Sequence, residues 1–278
     1  FGFNIPLTEG QIAETELAFT ETVDDHLSEI YASHERYVTG IQVFAGIPAV
    51  PLPPPGRADG SAARANLRNL SHFDENVTVV EGRLPQEQAA SIGGGPTLEA
   101  VIGPTTAAQF RLSVGDLLHV TPDATSPSTI TVPIVGIVEP TDPDADLWLP
   151  SPLLYFEPEA PDPEDEGDGI YNPQLPPVPV FVNLDALAET VSTTFPGTLS
   201  TTIWILTFDN EAMKAWTPGQ MRERFNGFDT QFALRMPASA DVTSGVIRMM
   251  ARFEGRSFFT RVPLLLLQAI MVATVVFF

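Results

Sequence analysis

The stretch TITVPIVGIV, residues 129–138, sets the fold class of this chain. Nearly all of its residues are β-branched, which favours extended backbone. Similar short segments precede it: VTVV (77–80), LEAVI (98–102) and DLLHVT (116–121). Turn residues such as Gly93-Gly94-Gly95-Pro96 separate them, and TTAAQFRL (105–112) has the character of two helical turns. Short strands at this spacing predict a small β-rich subdomain over residues 76–150.

The segments on either side of this subdomain have a different pattern. Thr8 and Gln11 have the spacing of a capping box, and apolar residues follow at helical spacing. This pattern predicts a helix over 9–32, and RYVTGIQVF (36–44) predicts a strand after it. Beyond residue 150, the predicted elements are a strand (179–182), a helix (184–191) capped by Asn183, a strand (201–208), a helix from Thr217-Pro218 to about 225, and a strand (229–236). The alternating order predicts an α/β subdomain formed by residues 1–75 and 151–240 and interrupted by the β-rich one.

The last segment, VPLLLLQAIMVATVVFF (262–278), has 17 consecutive residues without a charge. A helix of this length spans roughly 26 Å, close to the thickness of a bilayer core. It predicts a transmembrane helix that continues a stalk helix over 241–278, and a buried helix of a soluble core is the alternative. Four arginines before the run, Arg248, Arg252, Arg256 and Arg261, would place that side in the cytoplasm by the positive-inside rule. This conflicts with an extracytoplasmic domain, although large domains cross membranes largely regardless of charge.

Composition excludes one class of partner. The net charge is −21, and a nucleic-acid surface needs basic side chains to neutralise phosphates. Cysteine is absent, so neither disulfides nor thiolate metal sites can form. The Pro-rich stretch 47–57 predicts an extended, polyproline-type loop, and the acidic stretch 157–169 predicts a solvated loop. The roles of both loops stay open.

The sequence contains no recognisable catalytic, cofactor-binding or metal-binding constellation. Asp142, Asp144 and Asp146 have the spacing of positions 1, 3 and 5 of a calcium-binding loop. However, Leu147 and Leu153 stand where such a loop requires Gly at position 6 and Glu at position 12. The triple Gly lacks the Lys and Ser/Thr of a phosphate loop. His72, Asp74 and Glu75 are close in sequence, a common feature of loops. His26, His34 and His119 are widely separated from one another.

Four motifs nevertheless resemble a family as a series. They are Val80-Glu81-Gly82-Arg83-Leu84-Pro85, Glu99-Ala-Val-Ile-Gly103, Leu112-Ser-Val-Gly115-Asp116 and Val132-Pro-Ile-Val-Gly136-Ile137. Their order is similar to that in the extracytoplasmic core domain of FtsX-like ABC transporter permeases, the MacB type. A segment resembling Glu139–Trp148 often follows in such permeases.

The resemblance implies an α+β fold, a porter-like α/β subdomain interrupted by the β-rich one, between the first and second membrane helices of a permease. It also implies a dimer with a second permease copy or paralogue, and a cytoplasmic ABC ATPase subunit that hydrolyses ATP in place of this chain. Membrane lipid and an extracytoplasmic partner protein are the other implied contacts, and no cofactor is implied. The expected role is to transmit conformational change in order to export or extract a substrate, or to regulate an outside partner. A membrane-anchored binding or adhesion protein is the alternative, and a tethered hydrolase is a third hypothesis.

Overall fold

A computed structural model describes residues 2–6, 8–49, 52, 63–88, 91–123, 126–148, 156–158 and 176–236 of the chain. The strands are β1 (Gly2–Pro6), β2 (Tyr31–Gly46), β3 (Arg64–Leu70), β4 (Val77–Gly82), β5 (Ala100–Ile102), β6 (Leu117–Thr121), β7 (Ile130–Pro140), β8 (Val178–Val182) and β9 (Leu199–Phe208). The helices are α1 (Glu9–His26), α2 (Phe73–Asn76), α3 (Pro104–Phe110), α4 (Leu184–Thr194), α5 (Asn210–Lys214) and α6 (Pro218–Arg235), with a 3₁₀ turn at Asp146–Trp148.

The nine described strands form one mixed sheet in the order β1-β9-β2-β3-β8-β5-β7-β4. The strand β6 lies off this path and pairs antiparallel with both β2 and β7. These pairings close a ring of six strands: β2, β3, β8, β5, β7 and β6. The long strand β7 holds β6 along 130–133 and β4 along 136–140, while β5 pairs along 134–137.

The interior of this ring is the main hydrophobic core. Period-two alternation directs one apolar row from each strand inward. The row is fully buried at Leu67 on β3, Val180 on β8 and Val132 on β7. Helix α4 adds Leu187 and Val191 to the same core. Its start is fixed by Asn183, whose Oδ1 accepts hydrogen bonds from the amides of Asp185 and Ala186, as the sequence predicts.

The mixture of helices and strands predicted from the sequence is confirmed. Each segment of 76–150 predicted as a strand contains one, and Pro104–Phe110 is the predicted short helix. These strands lie in the same sheet as β2, β3 and β8, which come from the flanking segments. The subdomain boundaries at 75/76, 150/151 and 240/241 stay predictions.

The chain divides into two compact units. The first comprises residues 2–15 and 34–205, and the described part of the second comprises 16–33 and 206–236. The core of the second unit is aromatic: the Phe19 ring lies 6.1 Å from that of Phe228 and 5.8 Å from that of Phe232, in edge contacts at both. Arg235 donates hydrogen bonds to Thr22 Oγ1 and to Asp25 Oδ2 in the same unit.

One sequence-based prediction in the second unit is wrong. Residues 229–236 are not a strand, because α6 continues to Arg235. The alternation of Phe232, Leu234 and Met236 suggested a strand, but Leu234 is 73% exposed while Phe232 and Met236 are buried. The buried residues repeat every three or four positions along one helix face, from Phe225 through Phe228 to Phe232. The predicted N-terminus at Thr217-Pro218 is confirmed, with a complete capping box between Thr217 and Gln220.

The first helix is shorter than predicted. It ends at His26, not near residue 32, and β2 begins at Tyr31. Its predicted start is confirmed, since the Gln11 amide donates to Thr8 Oγ1 at 3.3 Å.

Several predictions lie outside the described residues. They are the stalk and transmembrane helix of 241–278 with their four arginines, most of the Pro-rich loop 47–57, and the acidic loop 157–169 beyond residue 158. Within the part of the chain that the structure describes, no helix combines the length and the apolar character required to cross a membrane.

Candidate functional site at the junction of four sequence motifs

The first three motifs of the series meet on the fourth, at residues 134–137 of β7. Gly82 of the first motif pairs with Gly136, and Ala100 of the second pairs with Ile134. The third motif contributes Asp116, whose carbonyl oxygen accepts the Ile134 amide at 2.9 Å. Segments that are up to about fifty residues apart in sequence are therefore hydrogen-bonded to the same strand. We call this arrangement the motif junction.

Two glycines of the motif junction are required by close backbone contact. Gly82 has a φ of +77°, and a Cβ there would meet the carbonyl oxygen of Val135. A Cβ at Gly136 would meet the carbonyl oxygen of Arg83 and would lie 3.0 Å from the Arg83 nitrogen. The Arg83 amide itself donates to the Val135 carbonyl at 2.9 Å. A side chain at either position would separate β4 from β7.

Arg83 and Glu99 form a bidentate ion pair beside these glycines. Arg83 Nη1 lies 2.6 Å from Glu99 Oε2, and Nη2 lies 2.6 Å from Oε1. The Gln86 amide donates a third hydrogen bond to Oε2 at 3.0 Å. Glu99 is only 5% exposed, so the carboxylate depends on these donors. The hydrogen bonds from Arg83 lower the pKa of Glu99 against the opposing effect of its burial, and the Gln86 amide lowers it further.

The other motif residues have structural roles as well. Gly103 precedes α3, and a Cβ there would lie 2.9 Å from the Phe156 carbonyl oxygen. Thr106 donates to that same oxygen at 2.7 Å. Asp116 accepts the Ser113 amide through Oδ2 at 2.8 Å, which closes the turn before β6. These motif residues therefore fix the geometry of the strands and of the turn before β6.

An open groove of about 1020 Å³ lies beside the motif junction. Its lining includes Arg36, His72, Phe73, Leu84, Gln86 and Asp185. Phe73 connects the groove to a stack of aromatic rings, with its centroid 4.8 Å from that of Phe181. Phe156 lies 4.9 Å from Phe181 and 5.3 Å from Trp148. Trp148 is 2% exposed.

Ser71, His72 and Glu35 meet at the edge of this groove, but they do not form a nucleophile and base. Ser71 Oγ donates to Glu35 Oε2 at 2.7 Å and accepts the Arg36 amide at 2.7 Å. His72 Nδ1 lies 3.1 Å from the same carboxylate oxygen. The serine therefore contacts the acid and not the imidazole, which is not the order that activates a serine. The hydrogen bond with Glu35 raises the pKa of His72, with smaller contributions from Glu75 and Asp74.

The remaining titratable residues considered in the sequence do not assemble into a site in the described parts of each unit. His119 lies 3.5 Å from Thr131 in the first unit, and His26 packs against Gly227 in the second. Asp142 accepts the Asp144 amide through Oδ1, as in an ordinary polar turn. Among the described residues, no group of three His, Asp or Glu side chains could hold a metal ion.

The Arg83–Glu99 pair is the feature that sequence reasoning missed. Both residues belong to motifs of the series, but their separation of 16 positions carries no periodic signal for a contact. Their presence in two successive motifs of the series is the signal that could have paired them.

No family model matches the chain, and no curated protein matches it. Solved structures do. One is the extracellular domain of the noncanonic ABC-type transporter YknZ from Gram-positive bacteria, at 9% identity and a TM-score of 0.37, covering 88% of this chain and 100% of that one. Another is the periplasmic region of MacB from Actinobacillus actinomycetemcomitans, at 10% identity and a TM-score of 0.38, covering 90% and 92%. MacB is also the type that the motifs resemble.

Proposed function

We propose that this chain is the extracytoplasmic domain of an ABC transporter permease subunit of the FtsX/MacB type. The observation that carries the proposal is the motif junction. The first three motifs come from separate segments, and all three are hydrogen-bonded to residues 134–137 of β7, which belong to the fourth. A chance similarity of four short motifs would not require this pairing, whereas a shared architecture would.

The proposed role is to transmit ATP-driven conformational change across the membrane, for export or extraction of a substrate or for regulation of an outside partner. A domain with this role must move without deforming. Close-packed interiors have low compressibility and transmit strain. The closed six-stranded ring has such an interior, with Leu67, Val132 and Val180 fully buried. The bidentate Arg83–Glu99 pair stabilises the contact between the end of β4 and this ring.

In this proposal the chain is not the enzyme. A separate cytoplasmic ABC ATPase hydrolyses ATP, and a second permease copy or paralogue completes the dimer. The membrane anchor would be the apolar run 262–278. The groove beside the motif junction is where we place the contact with an outside partner, because it is open and polar at Arg36, Gln86 and Asp185.

The location can be tested by labelling, because the chain has no cysteine of its own. Glu189→Cys places a thiol on an exposed position of α4. In intact cells that express the full-length protein, a membrane-impermeant maleimide should label this thiol without permeabilisation. Labelling only after permeabilisation would reject the extracytoplasmic location.

The permease assignment is tested by identifying the proteins that co-purify with the full-length protein. When it is purified from its native membrane, an ABC ATPase subunit should co-purify in stoichiometric amount. A membrane-anchored binding or adhesion protein would reach the same outside location but would purify without an ATPase. The two experiments together separate the proposal from its alternative.

A further inference from the structure

The strand β4 is the last strand on its end of the sheet. Among the described strands it pairs with β7 alone. Two adjacent apolar residues on it face solvent: Val79 is 38% exposed and Val80 is 55% exposed. Their neighbour Val77 is buried in the aromatic cluster with Phe181 and Trp148. The strand is therefore anchored at one end and presents valines at its outer edge.

The hydrogen-bonding pattern between β4 and β7 shows which N–H and C=O groups of β4 are not bonded to β7. The Thr141 amide donates to the Asn76 carbonyl, so this pair is hydrogen-bonded. Positions alternate in an antiparallel ladder, so Thr78 is bonded to β7, and Val77 and Val79 are not. Pro140 lies opposite Val77 and has no amide hydrogen, as expected for a pair that is not hydrogen-bonded. The N–H and C=O groups of Val77 and Val79 therefore point away from β7, toward the side of β4 where no other described strand pairs.

The sequence stretches that form this edge carry charge of one sign only. The stretches 73–82 and 136–148 contain no Lys, Arg or His, and their acidic residues are Asp74, Glu75, Glu81, Glu139, Asp142, Asp144 and Asp146. The nearest basic side chains along the chain already have carboxylate partners, since His72 binds Glu35 and Arg83 binds Glu99. An incoming strand would meet apolar side chains flanked by the exposed carboxylates of Glu81 and Glu139.

We propose that β4 is a docking edge for an extended, basic segment of a partner protein, which adds a strand to the sheet. Main-chain hydrogen bonds to Val77 and Val79 would provide affinity, as in other cases of strand addition. Apolar side chains of the partner would cover Val79 and Val80, and its lysines or arginines would pair with Glu81 and Glu139. The proposal does not rest on the function proposed above, because it uses only the edge and its charge.

A second copy of this chain fits the edge poorly. Pairing of β4 with itself would bring the acidic residues at its two ends into contact across the new ladder, and like charges opposite each other destabilise a sheet.

The test uses the full-length protein in detergent and three synthetic peptides. One alternates lysine with valine, the second alternates glutamate with valine, and the third is the lysine peptide with alternate amides methylated. The lysine peptide should bind and slow hydrogen exchange at the Val79 amide. The glutamate peptide and the methylated peptide should bind at least about tenfold more weakly, because they lack the charge and the main-chain donors, respectively.

Variants separate docking from unspecific attraction to an acidic protein. Glu81→Lys and Glu139→Lys should each weaken binding of the lysine peptide about three- to tenfold. Glu189→Lys makes the same change of charge on α4 and is the matched control, with no effect expected. Val79→Pro removes one outward amide and should abolish binding, whereas Val79→Thr keeps that amide and should bind. If Val79→Pro fails to fold, the charge variants still decide the question.

Three results would overturn the proposal. Equal weakening by Glu189→Lys and Glu81→Lys would mean that only net charge is sensed. Binding that is unchanged by Val79→Pro would mean that the edge is not used. Slow exchange of the Val79 amide without any peptide would mean that another segment of the chain, or a second copy, already covers the strand. A mass that depends on concentration would identify the second copy.

Discussion

Gly82 and Gly136 lie directly opposite each other where β4 meets β7, and neither position has space for a Cβ atom. The carbonyl of Val135 occupies the space at Gly82, and the carbonyl of Arg83 occupies it at Gly136. The motif residues of two separate segments thus bring two backbones closer than any other residue pair would allow. This contact positions β4, the docking edge and the Arg83 side chain together.

We expect Gly82→Ala and Gly136→Ala to destabilise the protein. Each places a methyl group against a carbonyl oxygen, and Gly82 also has a positive φ. The free energy of unfolding should fall by about 2–4 kcal/mol for each, measured by urea denaturation. Gly95→Ala is the control, because nothing lies within 4 Å of its Cβ position. A loss at Gly95 equal to that at Gly136 would contradict this explanation.

Breaking the Arg83–Glu99 pair should lower the free energy of unfolding much more than breaking an ordinary surface ion pair does. Arg83→Ala leaves the buried Glu99 carboxylate with the Gln86 amide alone, and should cost about 2–3 kcal/mol of unfolding free energy. Arg83→Lys should recover only part of this, because it cannot donate two parallel hydrogen bonds. Lys214→Ala breaks an exposed pair with Glu211 and should cost less than about 0.5 kcal/mol. Comparable losses for Arg83→Ala and Lys214→Ala would refute the role of burial.

The same pair predicts a dependence of stability on acid pH. Arg83 lowers the pKa of Glu99 below its ordinary value of 4.5 in the folded protein. The stabilisation is therefore complete above that ordinary value, and is lost as the pH falls through the lowered pKa. The free energy of unfolding of the wild type should decline below about pH 4.5 more steeply than that of Glu99→Gln. Parallel pH profiles for the two proteins would show that this carboxylate is not the cause.

In the second unit, Phe228→Ala should be strongly destabilising. Phe228 is fully buried and contacts the rings of Phe19 and Phe232. Its truncation should lower the free energy of unfolding by about 3–5 kcal/mol. Leu234→Ala on the same helix is the matched control, because Leu234 is 73% exposed and its loss should cost less than about 0.5 kcal/mol. The opposite ranking would support the strand originally expected over 229–236.

Local signals account for the parts of the fold that the sequence predicted. Thr8, Asn183 and Thr217 begin helices because each side chain accepts a backbone amide two or three residues later. The strands around β7 follow from β-branched residues between turns. In 229–236, by contrast, two periods compete: Phe232, Leu234 and Met236 alternate, and the helical face is visible only when Phe225 and Phe228 are included.

Non-local pairing accounts for the parts that could not be predicted. The closure of the ring depends on β6 joining β2 and β7, and a strand's own residues do not specify its partners. The Arg83–Glu99 contact likewise depends on how β5 and the turn after β4 meet. The motifs therefore contain the residues of the candidate site, but they do not predict which of these residues contact each other.

In the proposed function, this domain moves in response to ATP hydrolysed by a separate subunit. The most direct measurement uses the full-length Glu189→Cys protein, labelled with an environment-sensitive fluorophore and reconstituted with its ATPase in lipid nanodiscs. ATP should change the emission, and an ATPase that binds but cannot hydrolyse ATP should hold the signal in one state. Emission that stays the same during active ATP hydrolysis, for this label and for a second one at Gln88→Cys beside the groove, would contradict the account.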